Sequence, residues 1–242
     1  MAGAGDALID RLAAEPERAG LFLDFDGVLA PIVARPDDAA LPAETRAELE
    51  RLVARYALVA VVSGRAGDDV RARVGVPGVV CVGSHGLELA PQAERWRDAL
   101  AGFADGASWP AAATERKGLS LSFHYRDRAD EQAAVRELEA VAAAARSAGL
   151  AARFGRKVLE VLPPVEATKG TAVRRLLGQH GLRRALAAGD DTTDLDAFAA
   201  LDGLELAVRV AVAAEESPPA LREAADLVVA TPAAFRALLR RL

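Results

Sequence analysis

Leu21-Phe22-Leu23-Asp24-Phe25-Asp26-Gly27-Val28-Leu29 decides the reading of this chain. An apolar run that ends in two aspartates, spaced i and i+2, reads as a strand that delivers two carboxylates into one crevice, because side chains two apart on a strand share a face. Gly27 lets the backbone turn sharply beside them. Two carboxylates this close repel, and a chain tolerates that only with a cation or a shared proton. The arrangement suits phosphoryl chemistry, with one aspartate as nucleophile, one as acid/base and a metal ion between protein and phosphate.

Working outward, the runs Leu21–Phe25, Leu58–Val62, Val79–Val82, Ala185–Ala188, Leu206–Val210 and Leu227–Ala230 read as buried strands. Helical patterns lie between them. Pro42 to Arg55 places Leu49, Leu52 and Val53 on one face; Thr168 to His180 gathers Ala172, Val173, Leu176 and Leu177 and stops at Gly181. Strand alternating with helix implies a parallel sheet covered on both faces, with the ligand beyond the strands' C-terminal ends. Asp24, Ser63 and Asp190 each lie just past an apolar run, at that edge.

The middle of the chain has a different pattern. Leu119, Leu121, Phe123 and Tyr125 alternate with Ser120, Ser122, His124 and Arg126, as on a half-exposed strand. Asp130 to Ala148 is an Ala-rich amphipathic helix ended by Gly149. Ala151–Phe154 and Lys157–Leu162, joined across Gly155-Arg156, read as a hairpin, and Pro163-Pro164 marks the return. The expected fold is α/β: a Rossmann-like parallel-sheet core over 1–84 and 165–242, with an inserted α+β cap domain over 85–164.

Composition narrows the function classes. With 242 residues, 52% of them hydrophobic but only 5% aromatic, Ala, Val and Leu must fill a sizeable core. A net charge of -5 argues against nucleic acid as a partner. The lone Cys81 rules out an internal disulfide and reads as a core residue. Asp6, Asp10, Glu15 and Glu17 are wrong for a signal peptide, and the charge-free stretch from Val74 to Leu87 is too short to span a bilayer. The expectation is a soluble, cytoplasmic monomer with a small-molecule partner and no membrane or nucleic-acid partner.

Four elements carry the chemistry, in order: Asp24–Gly27, Ser63-Gly64-Arg65, Lys169-Gly170 at a helix start, and Gly189-Asp190-Asp191-Thr192-Thr193-Asp194. A serine hydroxyl can bond a phosphoryl oxygen, and a lysine at a helix start adds a cation where the dipole already favours anions. The late aspartates complete an oxygen-rich site suited to Mg2+, which keeps some waters and takes one or two carboxylates plus a phosphate oxygen. Singly, each element has a plainer reading: a strand-end turn, a solvated lysine, acids at a helix N-terminus.

Together these residues resemble the haloacid dehalogenase (HAD) superfamily, and the resemblance covers nearly the whole chain. It implies the HAD fold, with Asp24 as the nucleophile that forms an aspartyl-phosphate and Asp26 as acid/base. Ser63 and Lys169 would hold the phosphoryl oxygens. Asp24, the backbone carbonyl of Asp26, and Asp190 would hold Mg2+, while Asp191 and Asp194 orient metal-bound waters or Lys169 from behind.

A narrower resemblance rests on Gly83-Ser84-His85-Gly86-Leu87-Glu88, Glu115-Arg116-Lys117, His124-Tyr125-Arg126, Gly155-Arg156-Lys157-Val158-Leu159-Glu160 and Gly189–Phe198. These look like signatures of the trehalose-6-phosphate phosphatases. The resemblance implies a phosphoric monoester hydrolase whose cap reads a disaccharide phosphate through Glu115, Lys117, Arg126, Arg156 and Glu160, with Gly64, Arg65 and His85 beside the ligand. Three positions depart from that family: Arg156 stands where lysine is usual, Leu162 where an arginine is common, and Leu195 where a glutamate usually follows the Thr-Asp pair. Sucrose phosphate and mannosylglycerate-type phosphates stay open as substrates. A phosphomutase and a non-catalytic sugar-phosphate-binding domain stay open as alternatives in other classes.

Overall fold

The computed structural model describes residues 4–33, 35–110, 113–155, 157–213 and 217–242. The chain divides into two compact units, Met1–Gly86 with Ala167–Leu242, and Leu87–Glu166. The strands in chain order are β1 (Ala19–Leu23), β2 (Leu58–Val62), β3 (Val80–Val82), β4 (Thr114–Arg116), β5 (Leu121–His124), β6 (Ala151–Gly155), β7 (Val158–Leu162), β8 (Arg184–Gly189), β9 (Leu206–Val212) and β10 (Leu227–Val229).

In the first unit, six strands form one parallel sheet in the order β10-β9-β8-β1-β2-β3. Every residue of β1, β2 and β8 is buried, as expected where helices cover both faces of a parallel sheet. From β1 the chain steps outward to β2 and β3, then returns to the other side of β1 as β8. The strand order therefore reverses between β1 and β8, and a crevice opens at their C-terminal ends. One face packs Leu21, Leu23, Leu186 and Val208 with Ile9, Leu12, Leu49, Leu52 and Phe235. Ile9 and Leu12 come from the helix Ala4–Ala13, which the apolar runs do not reveal. Cys81 is half-buried against this core.

The second unit is an antiparallel sheet in the order β4-β5-β7-β6. Leu121, Phe123, Leu159 and Val161 pack on Ala134, Leu138, Val141, Ala142 and Ala145 of the helix Glu131–Ser147. Asp130 caps that helix, accepting the Ala133 N–H at 2.8 Å. Trp109 is buried in the same core and Trp96 packs against it. The opposite face carries the row Glu115, Ser122, Glu160, Arg153, one residue from each strand.

β1 lies two residues upstream of its expected run, and β5 is shorter than read. β1 ends at Leu23, and Phe25 is buried from a turn, not from the strand. β5 ends at His124, because the Arg128 N–H bonds to the Tyr125 carbonyl at 3.2 Å and closes a turn. No helix among the described residues is long and apolar enough to cross a membrane.

Candidate active site

Asp24 follows β1, Asp190 follows β8, and Lys169 opens the helix Lys169–His180, whose start is fixed by a Thr168–Thr171 capping box. The ammonium of Lys169 is 3.0 Å from Asp24 Oδ2 and 2.7 Å from Asp194 Oδ1, and all three side chains are buried. The other oxygen of Asp194 accepts the N–H groups of Asp190 at 3.0 Å and Asp191 at 3.1 Å. Glycine makes two of these approaches possible. A Cβ on Gly27, whose φ is 77°, would lie 2.2 Å from Asp190 Oδ2, and one on Gly189 would lie 2.1 Å from Asp194 Cβ.

One oxygen each of Asp24, Asp190 and Asp194 can lie within 4.8 Å of the others. Three carboxylates face one ammonium, and burial strips them of water. Burial pushes the Asp24 carboxyl well up, against the pull of Lys169 and with the push of Asp194 and Asp190. Burial, then Asp194, raises Asp190 to about 7. Burial would lower Lys169, but Asp194 and Asp24 outweigh it and hold the ammonium charged. Both oxygens of Asp194 are engaged by the protein, which leaves Asp24 and Asp190 as carboxylates for a hard cation. That donor set fits Mg2+.

The carboxylate of Asp26 stands apart from this group. It accepts two hydrogen bonds from Arg65, Nε to Oδ2 at 2.7 Å and Nη2 to Oδ1 at 2.8 Å, in the bidentate geometry typical of arginine. Arg65 also bonds Asp69 at 3.0 Å and lies over the Phe25 ring. Buried Ser63, after β2, accepts the Arg65 N–H at 3.2 Å through Oγ. Its carbonyl accepts the His85 N–H at 2.9 Å, and the Arg65 carbonyl accepts that of Ser84 at 2.7 Å. Ser84 and His85 are held in the left-handed region, φ 48° and 54°, with the imidazole of His85 over the Gly64 backbone. Asp191 is exposed and caps the Thr192 N–H at 2.6 Å.

In the second unit, Glu115, Lys117 and Glu160 come together on the polar face of the sheet. Lys117 Nζ lies 3.6 Å from Glu115 and 3.8 Å from Glu160. Arg126 is exposed in the turn beyond β5 and not on the strand itself, since the chain has already left the sheet. Arg156 lies outside the described residues. Motif spacing alone did not assign roles to two other residues of this face, His124 and Ser122. The alternation along β5 is the signal that places them there.

The trehalose-phosphatase family profile matches residues 22–230. A trehalose-phosphate phosphatase from Mycobacterium avium is 37% identical over 227 residues, covering 84% of this chain and 55% of that protein. An uncharacterized glycosyl hydrolase from Mycobacterium tuberculosis is 39% identical over 220 residues, covering 79% of this chain and 16% of that protein. The chain thus spans about half the length of the curated phosphatases it matches, and far less of the hydrolase. Among solved structures, the C-terminal domain of trehalose-6-phosphate phosphatase from C. albicans superposes with a TM-score of 0.74 at 22% identity, covering 98% of this chain and 96% of that one.

Proposed function

The chain belongs to the trehalose-phosphatase family, and from that premise we propose that it hydrolyses trehalose 6-phosphate to trehalose and phosphate. The observation that carries the chemistry is the cluster of buried Asp24, Lys169 and Asp194 with half-buried Asp190 at the β1–β8 switch point. Asp24 attacks phosphorus and forms an aspartyl-phosphate as the bond from phosphorus to the sugar oxygen breaks. Asp26, released from its pair with Arg65 and carrying a proton, gives that proton to the sugar oxygen, then takes one from the water that releases phosphate. Lys169 and Ser63 bind phosphoryl oxygens. Asp194 holds Lys169 in place and closes the loop after β8.

Asp24 and Asp190, with the Asp26 carbonyl, would hold Mg2+, which offsets charge on the carboxylates and the phosphoryl group when bound. In the second unit, Glu115, Lys117 and Glu160 read sugar hydroxyls, together with Arg126 and Arg156. A site built to hydrogen-bond hydroxyls rejects analogues that lack them. The test is phosphate release across a panel of sugar phosphates, sucrose phosphate and mannosylglycerate-type phosphates included, with Mg2+ and with a chelator. Release fastest from trehalose 6-phosphate, and only with the metal, is expected. A different preferred sugar overturns the substrate assignment, and activity in chelator overturns the metal assignment.

A further inference from the structure

We propose that His124 is a positioning residue for sugar recognition, holding the Glu115 carboxylate so that its free oxygen faces a substrate hydroxyl. The inference rests on the reading of this face as the sugar-binding surface. His124 Nε2 is 3.0 Å from Glu115 Oε2. Glu115 pairs directly with Ser122 in the register, so His124, two residues further along β5, is its diagonal neighbour on the same face.

An isolated surface pair of this kind would contribute little. This one is built into a larger arrangement. Glu115 Oε2 is shared between His124 and Lys117, and Lys117 reaches on to Glu160 on β7. Burial would raise the Glu115 carboxyl, but the His124 hydrogen bond and the Lys117 charge outweigh it and hold it below its ordinary value. The carboxylate therefore stays ionised, with Oε1 free to accept among the described residues. Ser122, between Glu115 and Glu160 in the register, is fully buried with a hydroxyl that has no hydrogen-bond partner.

The test compares kcat/KM for trehalose 6-phosphate with that for p-nitrophenyl phosphate, as a ratio, in wild type, His124→Ala, His124→Gln, Glu115→Gln and His124→Ala with Glu115→Gln. His124→Ala should lower the ratio roughly 5- to 30-fold, the loss of one hydrogen bond to a half-exposed charged group. His124→Gln keeps an amide donor and should recover most of it. In the Glu115→Gln background, His124→Ala should add no more than about a twofold further loss, because the two residues act as one unit. An unchanged ratio, equal losses on both substrates, a Gln variant as impaired as the Ala variant, or a full additive loss in the double variant each overturn the proposal. A wild-type protein that cleaves p-nitrophenyl phosphate but not trehalose 6-phosphate overturns the function reading, and this inference with it.

Discussion

Lys169 and Asp194 form a buried ion pair at 2.7 Å, and the same Asp194 carboxylate accepts two backbone N–H groups from the loop after β8. One side chain therefore fixes the start of the helix Lys169–His180 to the loop that carries Asp190. Lys169, held this way, reaches Asp24 at 3.0 Å. Both oxygens of Asp194 are thus engaged, one by Lys169 and one by the loop.

Replacing Asp194 by Ala should destabilise the fold by about 3 kcal/mol, since removing one partner of a buried, hydrogen-bonded pair leaves an uncompensated charge and two orphan N–H groups. The part of Lys169 that still pairs with Asp24 limits the loss. Urea denaturation measures it, and an unchanged midpoint would show that the pair holds nothing together.

Stability in a chelator should fall as pH rises. Asp190 is raised to about 7 and Asp24 is raised as well, while in the unfolded chain such groups titrate near about 4. Between those values the folded protein retains protons that the unfolded chain has released, so the slope of stability with pH is negative. A cation that offsets the carboxylate charge should then raise the unfolding temperature more at pH 8 than at pH 5. Thermal unfolding with chelator and with excess Mg2+ at both pH values checks this. A temperature that climbs with pH in chelator, or a Mg2+ effect larger at pH 5, would contradict the electrostatic account.

Glu160→Ala should impair turnover of trehalose 6-phosphate far more than that of p-nitrophenyl phosphate, by roughly 10- to 150-fold in kcat/KM, the loss of one charge-assisted hydrogen bond. Glu160 lies on β7, where it meets Lys117. Steady-state kinetics on the two esters decide it, and a parallel loss on both would assign Glu160 to the fold.

The parallel sheet was legible because strands buried on both faces are continuous apolar runs, and β2 matches its run residue for residue. The helix Lys169–His180 was legible from its apolar face and from Gly181, which ends it at φ 63°. That Asp24, Ser63 and Asp190 lie at one sheet edge followed from their places after those runs. Pairings across crossovers left no local trace. Arg65 and Asp26 are 39 residues apart, and Lys169 and Asp194 are 25 apart. β4 is only three residues long, with no apolar alternation to announce it. The end of β5 was overrun because Tyr125 continues the apolar alternation although the chain turns there.

The central claim, that Asp24 is the nucleophile of a sugar-phosphate phosphatase, is tested most directly by phosphate release from trehalose 6-phosphate with Mg2+, wild type against Asp24→Asn. The account predicts saturable, multiple-turnover release by the wild type. It predicts none by the variant, which should stay folded because its amide relieves the crowding of Asp24 with Asp190 and Asp194. Multiple turnover by the variant, verified by mass to be free of deamidation, would contradict the assignment, as would a folded wild type that releases no phosphate.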